Sequence, residues 1–494
     1  TASQFSLIEF DISWDNSWRT STLESNWDAA WVFVKIRDIN SNIWQHAKLN
    51  DTGHTGPVGA IIESGLVDVS AAFNASTNYA AGVFIYRDSD GHGSVNYNQV
   101  RLRWNYGANG FLDNDSVQVC VYAIEMVYAP EGAFFVGDAE ASSTNRFTDG
   151  SSPNPFEITS EGLIVVNSGS GQLWSTGTTT TSGSLTAGEL PSNYPKGFQA
   201  FYAMKYEISQ GMYKEFLNKL TRAQQWTSTS VNRFVSTTVD RFMHSNANQT
   251  VPANRNGIKL INDPGGTAPR EYASDLNNNS LFNEPSDGEF LACNWLSWRD
   301  VAAFADWAGL RPMTELEYEK LARGILSPVA GELAWGNNTD INQATAIVNA
   351  GQFNELPANI PSNFCGLNQT AVNGPMRVGA FAVGALNRVD AGGGYYGAME
   401  LSGNVQEYYI SANTGSTTGS INNRNFNGNI HGDGEIATNG EQDQGWPTSA
   451  YMRRGGDWSL TDITQFGVSA RNQIAGNSTG RSNNVGGRLG RTAP

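Results

Sequence analysis

From Phe5 onward, apolar and polar residues alternate almost one for one. Phe5-Ser6-Leu7-Ile8-Glu9-Phe10-Asp11-Ile12-Ser13-Trp14 and Trp31-Val32-Phe33-Val34-Lys35-Ile36 carry aromatic and β-branched side chains at a period of two. That spacing puts successive side chains on opposite faces of a strand. Further strands are predicted at 43–49, 82–87, 100–106, 116–128 and 133–136, with turn residues between them and no helical period. Residues 1–140 are therefore expected to form an all-β sandwich or jelly roll. Trp14, Trp18, Trp27, Trp31, Trp44 and Trp104 offer flat faces that would suit sugar rings, but filling the sandwich core is the preferred reading. Asp88-Ser89-Asp90-Gly91-His92-Gly93 lacks the full oxygen set of a calcium loop and reads as a hairpin turn.

The pattern then breaks. Residues 141–195 contain Pro153, Pro155, Ser168-Gly169-Ser170-Gly171 and Ser175-Thr176-Gly177-Thr178-Thr179-Thr180-Thr181. Such a composition predicts little burial, so this stretch is expected to be a connection with short strands at 156–158 and 163–166. Beyond it the period changes to that of helices. Phe201–Ile208 reads as a strand, and Ser209 caps a helix with Met212, Phe216, Leu217 and Leu220 on one face. Ser297 with Asp300, and Thr314 with Glu317, are capping boxes that open two more helices. The carboxylates there are assigned to capping rather than to acid–base chemistry.

Composition narrows the functional classes. The 494 residues hold 31 Lys and Arg against 47 Asp and Glu, a formal charge of −16. A nucleic-acid backbone would be repelled over most of such a surface. No apolar run is long enough to span a membrane. The start at Thr1 suits a mature exported product, so a secreted or cell-surface location is expected. Cys120 is expected to be a buried, inert thiol, and Cys293 and Cys365 are candidates for a disulfide whose proximity the sequence does not establish.

Four motifs carry a resemblance. Gly394-Tyr395-Tyr396-Gly397-Ala398-Met399-Glu400-Leu401-Ser402-Gly403-Asn404-Val405-Gln406-Glu407 is followed by Arg454-Gly455-Gly456-Asp457-Trp458-Ser459. With Leu310-Arg311-Pro312-Met313-Thr314-Glu315-Leu316-Glu317 and Gly487-Arg488-Leu489-Gly490-Arg491, they resemble the formylglycine-generating-enzyme (sulfatase-modifying factor) family over residues 196–494. The resemblance implies an α+β, loop-rich variant of the C-type lectin fold. Enzymes of the family oxidise a cysteine through copper(I) held by two thiolates after the Arg-Gly-Gly segment. Here those positions fall near Leu460 and Gln465, so no copper is expected.

The resemblance also implies structural calcium, with Asn404 and Glu407 as ligands and Asn349 in a second site; a hydrogen-bonded turn without an ion is the competing reading. A further likeness, to ligand-binding variable proteins of the same fold, points to Trp458, Asn472, Asn477, Arg481, Asn483 and Asn484 as ligand contacts. For Trp458 and for Arg454, Arg471 and Arg488, a framework role is the competing reading. Of the histidines, His244 and His431 are the pair weighed for an iron site, with solvated or turn histidines preferred. The expected function is non-catalytic recognition or assembly: an adhesin, a surface-layer protein or a filament subunit. Its partner would be a protein, a glycan or further copies of the chain. The alternative is a divergent metal-dependent oxidase or a carbohydrate-active enzyme.

Overall fold

The computed structural model describes residues 4–140, 144–177, 183–226, 232–339, 344, 346–358, 372–413, 424, 426, 430–447, 451–474 and 479–494. The first part of the chain supplies strands β1 (Ser6–Arg19), β2 (Asp28–Asp38), β3 (Ala60–Leu66), β4 (Ala80–Arg87), β5 (Gly91–Trp104) and β6 (Val117–Ala129). The later part supplies β7 (Phe201–Met204), α1 (Gln210–Lys219), α2 (Trp298–Trp307), β8 (Arg311–Pro312), α3 (Glu315–Arg323), β9 (Gln406–Ile410), β10 (Tyr451–Arg454) and β11 (Leu489–Thr492).

β2 is the central strand of the first part, and it is covered on both faces. Ala30, Val32, Val34 and Ile36 pack with Val95, Tyr97, Val100 and Leu102 of β5 and with Ile8, Phe10, Ile12 and Trp14 of β1. The alternate residues Ala29, Trp31 and Phe33 face the opposite way, into a core that contains Phe216, Phe304 and Trp307. β1 pairs only with β5, as an antiparallel two-stranded layer. The β-sandwich is thus closed on one side by that ribbon and on the other by helices contributed by the later part. Full burial of each large apolar side chain contributes about 1.5–3 kcal/mol.

The main sheet runs β8-β11-β7-β6-β2-β4-β3, antiparallel throughout. β7 lies between β6 and β11, with Phe201 opposite Ala129 on one side and Thr492 on the other. The two parts of the chain therefore share one hydrogen-bonded sheet.

Several sequence expectations change here. The described residues of the 141–195 stretch, 144–177 and 183–195, are not a loose connection. Phe147, Ile158, Val166, Leu173, Leu185, Leu190 and Tyr194 are buried in the main core. Short strands Thr148–Asp149, Ile164–Val166, Leu173–Trp174 and Gly188–Leu190 make a small sheet, and Phe156–Ile158 pairs with Phe134–Val136. The apolar residues of this stretch are few, but nearly all point inward against the later part, which composition cannot reveal. The turn at 88–93 is not a hairpin either: β4 and β5 belong to different layers, so it is a corner between them. Asp90 there accepts hydrogen bonds from the Ser21 backbone N–H and hydroxyl. Of the strand expected at 43–49, only Gln45–His46 forms. Cys120 is half-buried on β6 rather than buried, on the face it shares with exposed Gln118 and half-buried Tyr122.

The helix starts follow the sequence closely. The Ser209 hydroxyl accepts from Met212 N–H, and Ser297/Asp300 and Thr314/Glu317 close full capping boxes. Each such cap is worth about 1 kcal/mol.

Candidate functional site

The two motifs that organise the later part meet through α3. Glu315, in the first turn of that helix, receives Arg454 Nη1 at 2.9 Å, Arg471 Nε at 2.7 Å and Nη2 at 2.8 Å. The Ala412 N–H adds a bond of 2.7 Å to the same carboxylate. Burial alone would raise the Glu315 pKa, but the two guanidiniums outweigh it and hold the carboxyl below its usual range. One turn on, Glu319 takes Arg454 Nη2 at 2.6 Å. Arg454 and Arg471 are framework, holding β10 and the segment after it against α3.

A second buried cluster surrounds Arg488. Its Nε donates to Glu407 at 2.7 Å, and its Nη1 donates to the Met204 and Lys205 carbonyls at 2.8 Å. Glu207, Glu400 and Glu407 are all buried close to this one guanidinium. Burial pushes the carboxyl pKa values up, Glu400 to about 7 and Glu207 well above its ordinary value. Glu400 Oε1 accepts from Gly379 N–H at 3.0 Å, while its Oε2 has no partner.

The metal expectations can be set against these contacts. Asn404 Oδ1 accepts from Met376 N–H at 2.9 Å, and its Nδ2 donates to Glu207 at 2.8 Å. Glu407 is engaged by Arg488 and by the Tyr409 hydroxyl. The side-chain oxygens a calcium ion would use in this loop are thus occupied by protein donors. Asn349, exposed at φ 54°, lies apart in a turn whose Gly351 N–H donates to Glu355. Leu460 and Gln465, near which the resemblance places the family's thiolates, carry no sulfur. Cys293 is a free thiol in the core, and Cys365 lies outside the described residues, as does any bridge between them.

Among the described residues, the acidic group geometrically able to hold a cation is Asp306, Asp433 and Asp443, with one oxygen each within 4.8 Å of the others. Sequence reasoning missed it, since α2 and a loop more than a hundred residues later supply its members. The Asp306 oxygens accept from the backbone N–H groups of Asp433 and Asp443, at 3.3 and 3.0 Å. Burial, reinforced by Asp433, keeps the Asp306 carboxyl pKa high. His244 and His431 are not members: His244 lies against Trp295 at 4.1 Å between ring centroids, and His431 is wholly buried.

The residues expected to contact a ligand divide in the structure. Trp458 is 5 % exposed, packs on Ala292 and Val405, and donates to the Asn483 carbonyl at 3.1 Å. Arg481 is paired with Asp300 at 2.7 Å, which also closes the capping box of α2. Asn484 Nδ2 donates to Asp457 at 2.9 Å, and its Oδ1 accepts from Ser482. Asn472 is exposed, and Asn477 lies outside the described residues. The structure therefore brings Trp458, Asn483 and Asn484 together with Asp457, but mostly by bonds among themselves.

A wide cleft lies elsewhere. A cleft of about 1030 Å³ runs between the end of β1 and the Gly394–Met399 stretch. Trp18, Tyr206, Tyr395 and Tyr396 give it aromatic walls, and Lys205, Arg377 and Arg388 add cationic groups. Asn26 Nδ2 ties the first part to the second by donating to the Tyr396 carbonyl at 3.0 Å. Gly397, at φ +89°, lets the Trp18 ring approach; a Cβ there would sit 2.8 Å from it. Lys205 is paired with Glu125 at 3.0 Å and sits 5.3 Å from the Trp18 and Tyr206 ring centroids. The rim carries Val383 and Leu386, which are exposed. The glycine-flanked Tyr395-Tyr396 pair was the signal in the sequence; the contribution of Trp18, almost four hundred residues away, carried none. Of the other tryptophans weighed as a sugar platform, Trp31 and Trp104 are core, and Trp27 is stacked on Tyr128.

The scaffold is mainly antiparallel, with few helices and an arginine–carboxylate framework that ties its loops together. The profile of the sulfatase-modifying factor enzyme 1-like domain matches residues 149–493, and the chain belongs to that family. The match begins inside the small sheet described above, earlier than the boundary read from composition. Among solved structures, Treponema denticola variable protein 1 is similar with a TM-score of 0.31 and 10% identity, covering 75% of this chain and 96% of that one. No curated protein matches the chain by sequence.

Proposed function

We propose that the protein acts by non-catalytic recognition outside the cell or at its surface, holding a protein or glycan ligand in the cleft beside Trp18 and Tyr395. The reading rests on the retained framework around Glu315, together with the expectation that the family's thiolate positions fall near Leu460 and Gln465, which carry no sulfur. Copper(I) oxidation of a thiol needs soft sulfur donors, which an alkyl and an amide side chain do not supply. An aromatic-walled cleft of this volume is of the size that binds ligands. Among the described residues no helix is long and apolar enough to cross a membrane.

The test has two arms. Purified protein loaded with Cu(I) is expected to leave a cysteine peptide unoxidised, and turnover would return the chain to the enzymes. On protein and glycan arrays, binding is expected that Tyr395→Ala and Leu386→Asp abolish. Electron micrographs are expected to show discrete particles; ordered fibres or lattices would replace recognition with assembly.

A further inference from the structure

A second cleft, of about 760 Å³, opens between the loop after β2 and the turn of helix Arg222–Gln225. Its chemistry differs from that of the rest of the surface. Arg222 Nη1 and Nη2 donate to Asp263 Oδ1 and Oδ2 at 2.5 and 3.1 Å, and Arg270 Nε donates to Oδ2 at 3.0 Å. One carboxylate thus serves two guanidiniums and leaves a positive charge over. The Asp263 pKa is held down to about 2, mainly by the Arg222 hydrogen bond, so that carboxylate stays ionised. Arg270 is 5 % exposed, and its Nη1 is buried with no hydrogen-bond partner among the described residues. A buried donor left unpaired costs about 1–3 kcal/mol, more when it is charged, unless a ligand or water completes it.

The remaining wall sets an apolar face beside hydroxyl and amide side chains. The Trp226 ring is 37 % exposed and lies 5.9 Å from the Arg270 guanidinium, and Ile43 stands on the rim, 56 % exposed. Thr221 and Thr267 place hydroxyl-bearing residues around it. In a chain of net charge −16, a cationic pocket beside an open indole face selects an anion that also has an apolar face and hydroxyl groups. The overall charge argues against a polyphosphate backbone.

We propose that this cleft binds an acidic sugar, a uronate, with its carboxylate on Arg270 and Arg222 and its ring against Trp226. The fork of a guanidinium matches a carboxylate, and charge-assisted bonds of this type are the strong ones. The site is independent of the cleft beside Trp18.

Calorimetric titration of the full chain with a galacturonic acid trisaccharide tests it, with the fully methyl-esterified trisaccharide as the neutral control. The acid form is expected to bind, and the ester to bind at least about tenfold more weakly. Arg270 is buried, so its removal confounds folding with binding; the rim serves instead. Ile43→Asp is expected to weaken the acid by about tenfold and Ile43→Lys to tighten it, a change of sign that lost packing would not produce. Trp226→Ala is expected to weaken it by a similar factor. Leu386→Asp, in the other cleft, leaves it unchanged. No binding of the acid form, equal binding of acid and ester, equal binding of a sulfated neutral trisaccharide, or indifference to both Ile43→Asp and Trp226→Ala would overturn the assignment.

Discussion

The two parts of the chain build their interiors from different materials. In residues 6–129 the core is made by alternation: β1, β2 and β5 bury aliphatic and aromatic side chains, and the largest fully buried side chain is that of Trp31. In the later part the largest fully buried side chains include Arg233, Arg311, Arg323, Arg424, Arg454, Arg471, Arg488 and Arg491. The strands organise themselves through a repeating backbone pattern and need only apolar contact between layers. Long loops lack that pattern, so their backbone carbonyls must be met by side chains. Arginine, with five donors in a planar fork, meets several at once. Arg488 joins β7, β9 and the Met399 segment, and Arg424 donates to Ala412 and Thr186. An alternating sandwich tolerates the loss of one contact better than a network with shared partners.

Mutations that probe the two interiors should therefore differ in size. Arg454→Ala leaves Glu315 and Glu319 without one of their cations and is expected to destabilise by about 3–5 kcal/mol in denaturant unfolding. Val34→Ala, in the centre of the sandwich, is expected to cost only about 1–3 kcal/mol. Comparable losses at the two sites would erase the distinction.

Glu400 sharpens the comparison by inverting the sign. Its folded pKa, about 7, stands above the ordinary 4.5 because burial disfavours the charge. The native state then keeps a proton that the unfolded chain releases, so this group's contribution falls as pH rises from about 4.5 to about 7. Glu400→Gln is expected to flatten that decline and to gain about 1–3 kcal/mol above pH 7. Melting temperatures measured across that range decide it, and a variant that is less stable at pH 8 would contradict it. The smallest effect is expected from metal removal. Glu407 is already neutralised by Arg488, so excess chelator should leave the melting temperature unchanged. A drop reversed by calcium would show that an ion is bound, at this loop or at the Asp306, Asp433 and Asp443 group.

Much of this was legible in the chain. The period of two marked β1, β2 and β6, and Ser209, Ser297/Asp300 and Thr314/Glu317 marked the three helix starts, because capping is decided within four residues. The Arg-Gly-Gly and Gly-Asn motifs gave the family. β3 escaped, since Ala60-Ile61-Ile62-Glu63-Ser64-Gly65-Leu66 has no clean alternation. The candidate ligand residues were the least legible. Asn483 and Asn484 look like an exposed polar face in one dimension, yet the Asn483 carbonyl accepts from Trp458 and the Asn484 amide donates to Asp457.

By itself, the sequence determined most of the long strands, the three helix starts and the family they belong to, because strand alternation, helix caps and short motifs are properties of neighbouring residues. The tertiary structure decided everything that depends on distant segments meeting. It joined β6 to β7 in one sheet, folded Phe147, Ile158, Leu173, Leu190 and Tyr194 into the core and set Trp18 against Gly397. It also brought Ile43, Arg222 and Arg270 to the walls of one pocket. Such contacts rest on burial shared across hundreds of residues, and no local pattern records which partner a buried face will find.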